Sequence, residues 1–413
     1  MNRRSFLKTS GTAATLGIIS PKLSFSRPEI SPSTIKSITD RIKPITAEEH
    51  LQRIESARKL MKENNIDALF MEGGTSLNYF TGAKWGRSER LFAMILPQKG
   101  DLFFISPKFE EGRAHEQTGN AKVFCWEEDE SPYELIRKTF SENSLLSGTI
   151  GIEETTRYFV TENLKKTISG INLVSGTPVT AGCRALKSPH EIELVQIAND
   201  ITAEVYKTAV TKLKEGMSER EFGETVSKLF SEFGTEGGAL VLFGEASAYP
   251  HGLKKENRLK ENQIVLIDGG CSVEGYESDI TRTTIFGKPT DKMKTVWSVV
   301  RKAQDEALKT AKPGIETGKV DEAARRIISD SGYGNGYKYF THRLGHGIGM
   351  DGHEWNYLVG GSKNILHPNN IFSNEPGIYI PNEFGIRLED EMLITDNGAK
   401  LLLPQANSLE KIF

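Results

Sequence analysis

The spacing of apolar positions changes several times along this 413-residue chain, and the changes mark out its elements. Thr46-Ala47-Glu48-Glu49 is a capping-box pattern, and behind it Leu51, Ile54, Ala57, Leu60 and Met61 fall on one face of a helix. Short unbroken apolar runs at 68–71, 91–96 and 102–105 read as buried strands. Strands and helices alternate to about residue 178, which predicts an α/β domain over residues 46–180. Ser188-Pro189-His190-Glu191 then writes a second start, with Ser at the N-cap, Pro at the first helical position and Glu at the third. A long amphipathic helix follows to about Lys214 and opens a second domain, residues 185–413. Residues 27–45, rich in Ser, Pro and Lys, read as a linker.

Within the second domain Lys214-Glu215-Gly216-Met217 aligns without gaps on Lys312-Pro313-Gly314-Ile315, and each leads into a helix. Phe222 then falls over Val320 and Val226 over Ala324. The match fits two similar αβ halves around a pseudo-twofold axis, giving an α+β protein overall.

Composition narrows the function. A net charge of -3 with 26% charged residues supplies no basic field for nucleic acid. No run approaches the roughly 18 apolar residues of a membrane span. Asn2-Arg3-Arg4-Ser5-Phe6-Leu7-Lys8, ahead of a mildly apolar stretch from Thr12 to Ile19, resembles a twin-arginine export signal over residues 1–26. That resemblance implies passage through the twin-arginine machinery to a bacterial periplasm. Cys125, Cys183 and Cys271 are odd in number and widely spaced, so they make no disulfide framework and read as small buried hydrophobes.

The candidate chemistry lies in the second domain. Asp268, Asp279, His346, Glu375 and Glu389 appear in the settings Asp268-Gly-Gly, Asp279-Ile-Thr-Arg, Gly-His346-Gly-Ile-Gly, Glu375-Pro-Gly-Ile-Tyr and Arg387-Leu-Glu389-Asp. Four carboxylates and one imidazole suit a pair of hard or borderline divalent cations. The four negative charges offset two dications and leave room for a shared hydroxide, the reagent of a hydrolase. Residues 263–267 read as a buried strand leading to Asp268. Residues 277–286 read as its hairpin partner, which would set Asp268 beside Asp279. Arg387 and Glu389, two apart on a strand, project from one face.

These motifs resemble metallopeptidase family M24, the pita-bread fold of methionine aminopeptidase, aminopeptidase P and prolidase, over nearly all of residues 185–410. The segment Thr75-Ser76-Leu77-Asn78-Tyr79-Phe80-Thr81-Gly82 is similar to the creatinase-type N-terminal domain that accompanies aminopeptidase P and prolidase. The resemblance implies a creatinase-like α/β domain followed by a pita-bread catalytic domain. It implies two metal ions, with Asp279 and Glu389 bridging, Asp268 completing one site, and His346 and Glu375 the other. The implied activity is hydrolysis of Xaa-Pro bonds, as an aminopeptidase or a dipeptidase, with Glu375 moving the proton and His353 and His251 touching the substrate. Arg387 is implied to grip a carboxylate. Trp85 is the aromatic expected to close a neighbouring copy's site in a homodimer or larger assembly. Manganese is the first choice of metal, ahead of zinc or cobalt. His342 is expected behind the ligands, while His50, His115, His190 and His367 read as surface residues. A creatinase-like or other non-peptidase relative, and a catalytically silent binding protein, are the rival readings. The complete set of five ligand-type residues argues against them.

Overall fold

The computed structural model describes residues 29–255 and 257–413, so the export-type leader lies outside the described residues. Thr46 and Glu49 form the capping box: each side chain accepts from the other residue's backbone N–H, at 2.8 and 3.3 Å, opening the helix Ala47–Glu63. The first domain is a six-stranded sheet in the order Lys122–Trp126, Phe103–Pro107, Ala93–Pro97, Ala68–Glu72, Thr149–Ile152, Asn172–Ser175. Its three strands Ala68–Glu72, Ala93–Pro97 and Phe103–Pro107 are buried throughout. Successive residues feed opposite faces. Leu69, Met71, Met94 and Leu96 pack on Ile54, Ala57 and Met61, while Phe70, Ile95 and Phe103 pack on Ile136, Phe140 and Leu164. Helices on both faces are why the strands read as unbroken apolar runs rather than alternating ones.

The second domain has two halves. Helices Pro189–Val210 and Glu219–Glu232 cover strands Gly237–Phe243, Gln263–Val273 and Ile280–Phe286. Helices Asp291–Thr310 and Thr317–Asp330 cover a five-stranded sheet in the order Glu354–Leu358, Gly345–Gly347, Ile371–Asn374, Asp390–Thr395, Gly398–Leu401. The repeat is visible in the cores: Phe222 and Val226 anchor one, Val320 and Ala324 the other. A hairpin of Gly377–Ile380 and Phe384–Arg387 lies between the halves. Among the described residues no helix is long and apolar enough to cross a membrane.

Three expectations need correction. Of the expected linker 27–45, the described residues 29–45 are not a loose connection: Ser31 caps a helix Pro32–Thr39 whose Ile38, with Ile30, is buried in the second domain's core. Arg41 ties the same segment to Glu193 at 2.8 Å and Asp200 at 2.6 Å. The first domain runs past residue 180, because helix Thr177–Ala185 packs Val179 and Cys183 into its core. His50 and His190 are internal ties rather than surface residues. His50 bonds the Tyr79 carbonyl at 3.0 Å, and His190 bridges Glu49 at 2.7 Å and the Lys43 carbonyl at 3.1 Å.

A buried charge joins the domains. Arg53 donates to Glu191 at 3.2 Å and to the Tyr276 hydroxyl at 2.7 Å, and that hydroxyl donates to Glu191 at 2.7 Å. Removing one member of a buried pair strands the other, which costs about 3–5 kcal/mol. Arg53→Met should therefore lower the denaturation midpoint substantially, as followed by circular dichroism. A midpoint equal to wild type would show that the junction does not depend on this charge.

Candidate metal centre

Two strand pairs and a hairpin converge on one cavity of about 590 Å³, lined by all five ligand-type residues together with His251, His342, His353 and Arg387. Asp268 lies within the strand Gln263–Val273, directly across from Thr281. Asp279 stands just ahead of the strand Ile280–Phe286, its N–H held by the Glu391 carboxylate at 2.8 Å. The Thr281 hydroxyl lies 2.7 Å from Asp268 and 2.6 Å from Glu389, so one side chain sets the gap between two carboxylates. Glu389 is buried, and its N–H donates to the Thr281 carbonyl at 3.1 Å.

His346 is fixed from the other side. A Cβ on Gly345 would lie 2.1 Å from the Ser373 carbonyl oxygen, so only glycine lets the two strands close here. His346 Nδ1 sits 3.1 Å from the Gly347 carbonyl, which makes Nδ1 the protonated nitrogen and leaves Nε2 free as a ligand. Nε2 points at Glu375 at 3.4 Å and Asp279 at 3.8 Å. Ligand atoms of Asp268, Asp279 and Glu389 lie within 4.8 Å of one another, as do those of His346, Glu375 and Glu389. Glu389 belongs to both of these groups, and Asp279 belongs to the first and to a further one with His346 and His353.

The electrostatics fit a cation pair. Burial raises the Asp279 carboxyl well above the usual range, with Asp268 and Glu375 adding to the effect. Burial does the same at Glu375, reinforced by Glu389, and at Glu389, reinforced by Asp279 and Asp268. Carboxylates so close cannot all stay ionised unless positive charge joins them. Asp268 differs: burial pushes its carboxyl up, but Arg387 and the Thr281 hydroxyl outweigh burial and hold it below the usual range. Burial, with His353 adjacent, lowers His346 to about 3, so its imidazole is neutral and ready to ligate. Glu389 Oε1 is buried with no hydrogen-bond partner. An orphaned carboxylate oxygen inside a ring of metal-type donors fits a divalent metal site.

His353 stacks on His346 with ring centroids 3.7 Å apart, and its Nδ1 lies 3.3 Å from the Arg343 guanidinium. His251 is exposed at the rim. Arg387 grips a carboxylate as expected, but one of the chain's own. It is buried and engaged with Asp268 at 2.5 Å and the Tyr379 hydroxyl at 2.8 Å, which corrects its expected place among the substrate-binding residues. Trp85 does not line this cavity: its partly buried ring stacks on Phe92 at 3.8 Å under Arg113, packed against the first domain's core. Two contributors were not visible in the sequence. Tyr379 joins Arg387 to His342, whose Nε2 lies 2.7 Å from the Tyr379 hydroxyl. Glu391 holds Asp279 by its backbone. Tyr379 stands four residues beyond Glu375, but only the return of the hairpin brings it inward.

Comparison with known proteins agrees with this geometry. Residues 193–396 match the model of metallopeptidase family M24, and residues 53–186 match that of the creatinase/prolidase N-terminal domain. The chain is 37% identical over 374 residues to an uncharacterized peptidase of Schizosaccharomyces pombe, covering 85% of this chain and 81% of that one. It is 33% identical over 354 residues to a Xaa-Pro dipeptidase of Pyrococcus furiosus, covering 85% and 97%. The solved prolidase of Thermococcus sibiricus superposes with a TM-score of 0.80 at 31% identity, over 87% of this chain and 98% of that one. With its ligand set gathered around one cavity and both domain models matched, the chain belongs to metallopeptidase family M24 and carries a creatinase/prolidase N-terminal domain.

Proposed function

We propose that this metallopeptidase hydrolyses peptide bonds whose nitrogen belongs to proline, with Xaa-Pro dipeptides as its first substrates. The convergence of Asp268, Asp279, His346, Glu375 and Glu389 on one cavity carries the reading, and the dipeptidase and prolidase among its relatives support the bond type. Two divalent cations bound there supply an activated water near neutral pH and polarise the scissile carbonyl. Manganese suits a shell of four carboxylates and one imidazole.

The chain's own residues do the rest. Glu375 is held by the Ser373 hydroxyl at 3.3 Å and is placed to take a proton and pass it to the leaving imino nitrogen. Burial lowers the pKa of His353, and Arg343 and His251 add to the effect, so the ring is neutral at pH 7. Because a guanidinium only donates, Nδ1 of His353 accepts from Arg343. The ring proton is then on Nε2, where it donates to the developing oxyanion. Arg387 and Thr281 keep Asp268 ionised and aligned. A prolyl bond offers no amide N–H and a restricted ring, so shape and the rim, including His251, select the substrate.

The twin-arginine-like sequence of residues 1–26 supports export by that route to the periplasm. With manganese present, an Xaa-Pro dipeptide should be cleaved faster than Xaa-Pro-Yaa. The reverse order would make the protein an aminopeptidase, and cleavage of neither by fully loaded protein would sink the reading. Asp279→Asn should lose both bound metal, by elemental analysis, and activity. His353→Ala should keep its metal but lose about 10²–10³ in kcat.

A further inference from the structure

His353 is the first residue of a short path leading away from the metal cavity. Its neighbour Glu354 begins the strand Glu354–Leu358 and points the opposite way, into the domain junction, where it is buried. Four groups hold that carboxylate. Arg184 donates through Nη2 at 2.7 Å and Nε at 3.2 Å, Lys187 donates at 2.7 Å, and the backbone N–H groups of Met350 and Asp351 donate at 2.9 and 3.4 Å. Burial alone would raise the Glu354 pKa, but Lys187 and Arg184 outweigh burial and bring it down to about 2, so it stays charged.

The cluster reaches into the first domain. Arg184 also pairs with Asp351 at 2.5 Å, and Asp351 accepts from Thr75 at 2.7 Å. Thr75 opens the helix Thr75–Thr81 of the first domain, and Arg184 and Lys187 sit at the connection between domains. A buried ion pair is seldom the most stabilising choice, since apolar residues of similar volume often do as well or better. Stability alone does not account for two cations on one carboxylate. Geometry does. Glu354 closes the turn 349–354 onto itself through the Met350 N–H, and a Cβ on Gly349 would lie 2.7 Å from both of its oxygens. The turn is wrapped closely on the carboxylate, and His353 is the residue that joins the two.

We propose that Glu354, clamped by Arg184 and Lys187, is a positioning residue that aims the His353 imidazole at the metal cavity, so the junction with the first domain sets the geometry of the reaction. The inference rests on His353 acting as the oxyanion donor.

A double-mutant cycle on the manganese-loaded full chain with an Xaa-Pro dipeptide separates the two ideas. Glu354→Gln should lower kcat about tenfold to a hundredfold, with KM and metal content near wild type. In a His353→Ala background the same change should cost no more than about twofold in kcat, while the thermal midpoint falls equally in both backgrounds. Asp351→Asn, at a partly exposed site, should give a smaller kcat loss that likewise vanishes without His353, and it serves if Glu354→Gln does not fold. An equal kcat loss in both backgrounds, or a fall in midpoint with no kcat loss, would overturn the positioning role. Wild-type kcat in His353→Ala alone would overturn the donor reading first, and the inference with it.

Discussion

Packing four carboxylates around one imidazole in a part-buried cavity is the constraint on which this structure turns. Such a cluster repels itself, and burial makes the repulsion worse. The fold pays for this in fixed partners rather than in space. Arg387 takes one oxygen of Asp268, the Thr281 hydroxyl sits between Asp268 and Glu389, and Glu391 holds Asp279 through its backbone. What these contacts leave open is the inward side of the cluster, where Glu389 keeps an oxygen without a partner. The architecture thus presents an arrangement that is electrostatically incomplete, and cations complete it.

Each half of the pseudo-twofold domain supplies part of the cluster. Asp268 and Asp279 come from one sheet, and His346 and Glu375 come from or beside the other. Glu389 follows the hairpin between them. The separation of the halves therefore sets the separation of the ligands. The two apolar cores behind the sheets, anchored by Phe222 and by Val320, fix that distance at low cost because neither core contains a ligand.

Much of this was legible in the sequence. Capping boxes at Thr46 and Ser188 gave helix starts, because a cap is a local interaction among four residues. The unbroken apolar strands identified a sheet covered on both faces. All five ligand-type residues were readable through their conjunction, four carboxylates and one imidazole in one domain that together suit a cation pair. Contacts between distant segments were not legible. Arg387 carries no mark of whether it will hold Asp268 or a substrate, and Trp85 none of whether its ring will stack on Phe92. The segment before residue 46 reads as a linker because its isoleucines, Ile30, Ile35, Ile38, Ile42 and Ile45, stand singly among Ser, Pro and Lys, and the core they pack against lies in the second domain.

The location of Arg184 and Lys187 bears on how such proteins can be recombined. Both cations lie at the connection between the domains, at the end of the first and the start of the second, while the carboxylate they neutralise, Glu354, lies far along the second. The two domains are therefore not interchangeable cassettes. A chimera that took its front half from a relative lacking these cations would bury a naked anion at the seam. Lineages that traded such halves would have had to trade both sides of the joint together.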